Sequence, residues 1–260
     1  MGAFRLPHAD APRHHSLSVA GVVAALGAEA RTLGPSAKRS DGLLKLGDGM
    51  LAAVSGMGPE AATKAAERLV RAGATALVSW GMAGGLDPSL PAGTICIPHL
   101  IIAPDGASFA TDLHWRELTT AAIAARRTVV NGKLLSSRRA IDDVAGKAAA
   151  FNKTAAAVVD MESAAVASVA ALYALPFLAV RVIVDTAADA LPDAVVASTG
   201  IAGLRLSRLV FALLKSPGEL APLLRLASRY RVAIRALTAV AASGALAPLD
   251  FAASSPSRIA

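Results

Sequence analysis

Val158-Val159-Asp160-Met161-Glu162-Ser163-Ala164-Ala165-Val166-Ala167 decides how the rest of the chain is read. A β-branched run ends in an acidic pair, and an alanine-rich stretch of helical composition begins at once. Twenty-three residues after Glu162, a second apolar run, Leu178-Ala179-Val180-Arg181-Val182-Ile183-Val184, ends in Asp185. Strands that lead directly into helices mark an α/β chain, and such sheets bind ligands outside the carboxyl ends of their strands. Acidic residues at those ends are therefore the first candidates for chemistry.

Working outward, the same alternation predicts strands at Ser18–Val23, Leu43–Leu46, Gly49–Ser55, Ala76–Trp80, Thr94–Ile101, Thr128–Leu135, Ala156–Asp160 and Phe177–Val184. It predicts helices at Ala28–Leu33, Pro59–Ala72, Trp115–Ala125, Ile141–Phe151, Glu162–Ala174 and Gly200–Lys215. Gly47-Asp48-Gly49 reads as a hairpin turn. Residues 1–16 read as a disordered arm, 17–216 as one catalytic domain, and 217–260 as a basic amphipathic helix with a loose tail.

The chain is 54% hydrophobic but only 4% aromatic, so its core is built of Ala, Val and Leu and suits close packing of helix on sheet. A single cysteine, Cys96, excludes a disulfide framework; its apolar context reads as core, and a reduced, cytoplasmic setting fits. Two segments imitate targeting signals. Leu17–Leu26 follows basic residues like a signal peptide, but it also reads as the first strand of the sheet, which the later motifs require. Ser163–Val180 is uncharged for eighteen residues, yet Pro176 and the switch to β-branched residues divide it into helix, turn and strand.

Charge is concentrated near the C-terminus. From Ile201 to Val240, seven lysines and arginines face one acid, Glu219, which accounts for six of the chain's seven net positive charges. At the helical period, Leu220, Leu223, Ala227, Tyr230, Ile234 and Leu237 share one face, with Arg225, Arg229 and Arg235 opposite and Arg231 at the border. Two readings fit: a helix docked on the body, or one lying on an anionic membrane surface. Nucleic acid is a poor partner, because Tyr230 is the one aromatic residue among those arginines.

The segments VDMESAAVA and VRVIVDTAAD resemble the signature of the purine nucleoside phosphorylase and nucleosidase superfamily, over roughly Ser18 to Lys215. The resemblance implies a single-domain three-layer α/β/α sandwich with a central mixed twisted sheet, and cleavage of an N-glycosidic bond without a cofactor or metal. Asp185 matches the residue that donates to purine N7, and Asp there leans toward adenine. Glu162 matches the glutamate that grips the ribose diol, Met161 the methionine beneath the sugar, and Asp160 a supporting group. Glu29 resembles the glutamate that activates water in the methylthioadenosine/S-adenosylhomocysteine nucleosidases. Ser55-Gly56-Met57-Gly58 and Gly81-Met82-Ala83-Gly84-Gly85-Leu86 match glycine loops able to bind an anion or approach a ligand closely.

Other readings of the same residues stay open. Asp185 suits a helix N-cap, Glu162 a first-turn acid beside the helix dipole, and Glu29 an exposed helix position. Met82, and Leu135 followed by Ser136, stand where the family carries a hydroxyl and a stacking aromatic, which makes the pocket more apolar. Arg31 and Arg181 are the candidates for holding phosphate, though Arg181 also suits an ion pair, so water and phosphate both stay open as nucleophile. The stretch Asp185–Pro192, followed by Leu213–Leu220, further resembles the hopanoid-associated phosphorylases. That implies adenosylhopane as substrate, an adenine nucleoside with a large apolar 5′ group. It also implies peripheral contact with the inner membrane and a homo-oligomer, most simply a dimer. A soluble methylthioadenosine/S-adenosylhomocysteine nucleosidase and a non-catalytic nucleoside-binding or membrane-associated protein are the competing expectations.

Overall fold

The apolar run that begins at Ala76 does not stop where the glycines begin. In the computed structural model, which describes residues 18–47, 49–191 and 220–247 (side chains of 220–224 excepted), it continues as one ten-residue strand, Ala76–Gly85. The expected glycine loop at Gly81–Leu86 is thus mostly strand. Glycine here serves close approach of neighbouring groups rather than a turn.

In chain order the described elements are β1 (Ala20–Ala24), α1 (Gly27–Arg31), β2 (Ala37–Lys38), β3 (Leu44–Lys45), β4 (Met50–Val54), α2 (Pro59–Arg71) and β5 (Ala76–Gly85). They continue as β6 (Ile95–Cys96), β7 (Leu100–Ile102), β8 (Ser108–Ala110), α3 (Leu113–Ala124), β9 (Val129–Val130), β10 (Lys133–Ser136) and α4 (Val144–Thr154). The last are β11 (Ala156–Asp160), α5 (Ser163–Leu172), β12 (Phe177–Asp185) and α6 (Leu220–Ala242). The strand expected at Thr94–Ile101 is two strands separated by Ile97-Pro98-His99, because proline cannot donate to a ladder. The one expected at Thr128–Leu135 is likewise divided at Asn131-Gly132. The helix expected at Gly200–Lys215 and the N-terminal arm lie outside the described residues.

The sheet is mixed. β4, β1, β5 and β12 run parallel, while β11 lies antiparallel to β5 and parallel to β10. β1 accompanies β5 only as far as Trp80, and β11 joins the strand only at Gly84 and Gly85. Between those points, at Gly81–Ala83, neither strand pairs with β5, while β12 pairs with it on the other side. That stretch needs other partners for its backbone groups.

Alternating side chains along the sheet serve two layers. Val23, Leu77, Ala179 and Ile183 face the alanine-rich helices α2 and α5, where Ala62, Ala66, Val166 and Ala167 are fully or almost fully buried. Ala20, Val22, Val78, Trp80, Val180 and Val182 face α1, α3 and α6. The result is a single α/β/α sandwich. Ser163–Val180 resolves into α5, a turn and the start of β12, and among the described residues no helix is long and apolar enough to cross a membrane.

α6 belongs to this body. Ala233, Ala236, Leu237 and Val240 are fully buried against Trp80, Val180 and Val182. The buried face is rotated from the one expected: Ala227 is exposed, and Arg229, expected toward solvent, turns inward to pair with Asp189. The Arg229–Asp189 pair is half-buried, a pairing between residues distant in sequence that hydrophobic period alone does not encode. The arrangement predicts that Leu237→Ala lowers stability by ~2–4 kcal/mol in denaturant unfolding, whereas Ala227→Ser changes it by less than about 0.5 kcal/mol.

Candidate active site

The unpaired stretch of β5 is satisfied by a side chain. Glu29 Oε1 accepts from Met82 N at 2.9 Å, and Oε2 accepts from Leu26 N at 2.9 Å. Glu29 stands in α1, just beyond the end of β1, and is 4% exposed, so it is not the solvated helix glutamate that its sequence also allowed. Gly81 makes this possible. A Cβ at Gly81 would lie 2.5 Å from Glu29 Oε1 and 2.8 Å from its Cδ.

Three further groups converge on the same opening. Glu162 follows β11, and its Oε1 accepts from Gly58 N at 2.8 Å. Of the Ser55–Gly58 loop, then, Gly58 offers its amide to Glu162, while the Ser55 hydroxyl donates to Gly56 O at 2.6 Å and Met57 reaches the cleft. Asp185 ends β12, where the register against β5 shifts between Ile183 and Asp185. A bulge of this kind re-aims side chains, and here both Val184 and Asp185 face the cleft. Gly84 lets the acid approach, since a Cβ there would sit 3.1 Å from Asp185 Oδ2. The N-cap reading of Asp185 does not hold: Asp189 accepts from Thr186 N at 2.8 Å instead.

Asp160 lines the cleft, and Arg181, Ser136 and Ser163 lie behind it. Asp160 Oδ2 accepts from Arg181 Nε at 2.8 Å and Nη2 at 2.7 Å, and from Ser163 Oγ at 2.6 Å. Its Oδ1 accepts from Ser136 Oγ at 3.0 Å, and Arg181 also donates to Ser79 Oγ at 2.6 Å. Arg181 is buried in this network, away from the cleft lining, so it is placed for an ion pair rather than for holding phosphate. Leu135 does not reach the cleft either; it packs with Leu86 and Val159.

The cleft encloses about 670 Å³. Its acidic groups are Glu29, Asp142, Asp160, Glu162 and Asp185, and its walls are mainly apolar, among them Leu26, Met57, Met82, Ile141, Met161 and Leu191. Burial disfavours charge on the acids. It raises Glu29 despite its amide partners and the nearby Arg181, and raises Asp185 despite the adjacent Lys147. Glu162 is pushed up to about 7, first by burial and then by the neighbouring charge of Asp160. Among the described residues no group of three His, Cys, Asp or Glu side chains could hold a metal ion.

Sequence reasoning missed Lys147. It is fully buried in α4, and its Nζ donates to Asp185 Oδ2, to Thr186 O at 2.9 Å and to Asp189 O at 2.8 Å. Its one sequence signal is its place four residues before Phe151, on the packed side of α4. Arg139, Ile141 and Asp142 of the cleft wall carried no signal of a site, and Leu191 only its place in the Asp185–Pro192 stretch.

A family profile described as the phosphorylase superfamily matches residues 40–215. The chain belongs to this superfamily. No functionally curated protein matches it significantly. Among solved structures, it is similar to the 5′-methylthioadenosine/S-adenosylhomocysteine nucleosidase of Neisseria meningitidis in complex with methylthio-immucillin-A. That likeness has 20% identity and a TM-score of 0.68, and covers 90% of this chain and all of the other. It is also similar to the futalosine hydrolase of Helicobacter pylori, at 16% identity and a TM-score of 0.63 over 87% of this chain and 98% of that one. A 5′-methylthioadenosine/S-adenosylhomocysteine nucleosidase of Campylobacter jejuni is 19% identical, with a TM-score of 0.60 over 76% of this chain and 99% of the other. At these identities the structures establish a shared fold.

Two predictions follow from the phosphorylase-superfamily site. Gly81→Ala, which places a Cβ 2.5 Å from Glu29 Oε1, displaces the Glu29 carboxylate, so activity should fall by about 10²-fold in a steady-state assay and stability by roughly 2–4 kcal/mol. Glu162 is easier to protonate folded than unfolded, so its carboxylate costs stability as pH rises from its ordinary 4.5 towards about 7 and beyond. Glu162→Gln should therefore raise stability at pH 8 by on the order of 1–3 kcal/mol and leave it nearly unchanged at pH 4, as read by thermal unfolding.

Proposed function

We propose that the protein cleaves the N-glycosidic bond of an adenine nucleoside. The observation that carries this reading is the convergence of Glu29 and Asp185, both buried, and the half-buried Glu162, which follow three separate strands, on one apolar-walled cleft. The reaction needs an acid beside the base, a carboxylate for the ribose diol and a base for the nucleophile. Asp185 in its protonated form donates to N7 as the C1′–N9 bond breaks. Glu162 accepts from the 2′ and 3′ hydroxyls, and its charge opposes the cationic sugar of the transition state. Glu29 removes a proton from water as its oxygen attacks C1′, leaving adenine and a free ribosyl product. Asp160, held by Arg181, Ser136 and Ser163, keeps the β11 end and the start of α5 in register beneath Glu162.

Water is the favoured nucleophile. Arg181 is engaged by Asp160, the Gly58 amide by Glu162 and the Met82 amide by Glu29, so that among the described residues Arg139 is the one cationic side chain of the cleft lining that could meet a phosphate. Phosphate in place of water would give the ribosyl phosphate.

The 5′ substituent we propose is the hopane of adenosylhopane, on the route to bacteriohopanepolyols. The apolar walls (Leu26, Met57, Met82, Ile141, Leu191), with no aromatic side chain among the described residues of the lining, support a large hydrocarbon group. Because the apolar face of α6 is buried in the body, membrane contact in this reading falls to its exposed arginines, Arg225, Arg231 and Arg235. A homodimer belongs to the same proposal, supported by exposed Leu113, Leu118, Leu172 and Tyr173. The nucleosidase-like fold supports a second substrate, methylthioadenosine or S-adenosylhomocysteine.

The test is adenine release from adenosylhopane in detergent, with and without phosphate, beside methylthioadenosine. The expected result is phosphate-independent release from the lipid nucleoside, lowered by about 10²-fold or more in Asp185→Asn. Release from methylthioadenosine alone would move the substrate to the second reading, and full activity of Asp185→Asn would overturn the assigned chemistry.

A further inference from the structure

Lys147 is a fully buried ammonium-bearing side chain outside the cleft lining, and no step above uses it. Its Nζ meets three acceptors, Asp185 Oδ2, Thr186 O and Asp189 O, which match the three donors of an ammonium. The turn that supplies two of them is itself braced. Asp189 Oδ2 accepts from Thr186 N at 2.8 Å and is paired with Arg229 of α6. A continuous chain of contacts therefore runs from α6 through Arg229, Asp189 and Lys147 to Asp185.

We propose that Lys147 is a positioning residue for Asp185: by occupying Oδ2 it leaves Oδ1 as the oxygen that carries the transferable proton, and the Arg229–Asp189 pair holds the turn that orients it. This rests on Asp185 being the donor to the leaving base. The two oxygens of a free carboxylic acid are equivalent, and the proton can sit on either. With an N–H donor fixed on Oδ2, that oxygen acts as acceptor, and the O–H lies on the other. When the Oδ1–H bond breaks and the N7–H bond forms, the electron pair stays on the carboxyl group. The new carboxylate then faces the Lys147 charge. That attraction is stronger after the transfer than before it, so it lowers the barrier rather than merely binding substrate. The pair also opposes the effect of burial, which pulls Asp185 toward the neutral form.

The test compares the full-length wild type with Lys147→Met, Lys147→Arg and Asp185→Asn, by pH profiles of adenine release from the nucleoside that the wild type turns over. Without the lysine charge, Asp185 holds its proton to higher pH and is a weaker acid. Lys147→Met should lower kcat by about 10²-fold, keep KM within roughly threefold and move the alkaline limb of the profile upward. Lys147→Arg keeps the charge, so the limb should stay near its wild-type pH. Its planar fork cannot reproduce three acceptors around one nitrogen, so kcat should still fall by roughly tenfold. Wild-type kcat and limb in Lys147→Met would overturn the proposal and leave Lys147 a packing group. If Lys147→Met does not fold, wild-type kcat in Lys147→Arg would overturn it in the same way. Activity retained in Asp185→Asn would instead overturn the donor assignment beneath it.

Discussion

The site depends on one constraint: the backbone of β5 at Gly81–Ala83 has a strand partner on one side only. Buried amides must find acceptors, and the Met82 amide finds the Glu29 carboxylate. The same parting of β1 from β11 opens the cleft and recruits an acid into its wall. Gly81 and Gly84 are the sequence's accommodation to this, since a side chain at either would press on Glu29 or Asp185. The chemistry sits where the sheet is locally incomplete, at the carboxyl ends of β1, β11 and β12.

Electrostatics follows from the same geometry. Each of the three proposed acids is raised by its removal from water, Glu29 and Asp185 buried and Glu162 half-buried, but each has a different neighbour. Glu29 has two backbone amides, Glu162 has one amide and the charge of Asp160, and Asp185 has a lysine. In the proposed reaction, different surroundings for chemically similar groups let one act as base, one hold the sugar and one donate. Asp160 takes no direct part because Arg181, Ser136 and Ser163 satisfy it completely.

Much of this was legible in the sequence, and the failures have physical causes. The alternation of β-branched and alanine-rich runs predicted α2, α5, β11 and β12 nearly to the residue: α2 is buried on a clear helical period, while β11 and β12 are continuous buried β-branched runs and α5 an uncharged alanine-rich one between them. The acids were legible because they stand at strand ends. Strand breaks at Pro98 and Gly132 were missed, since the flanking apolar runs look continuous. The face of α6 differs from the expected one because small residues, Ala233 and Ala236, pack against the sheet with Leu237 and Val240, and a helical period weighs alanine weakly. Lys147 went unseen because a lysine in an alanine-rich helix looks exposed until its three acceptors are known. Pairings between residues distant in sequence leave no local pattern.

The measurement that bears most directly on the converging acids is the affinity of an adenine nucleoside analogue carrying a protonated nitrogen in its sugar ring, set against that of the matching nucleoside by calorimetry. Buried carboxylates around a developing cationic sugar predict that the cation binds at least about 10²-fold more tightly, and that Glu29→Gln and Glu162→Gln each remove most of the difference. Equal affinity for the cationic and neutral sugars, in the wild type and both variants, would contradict the account.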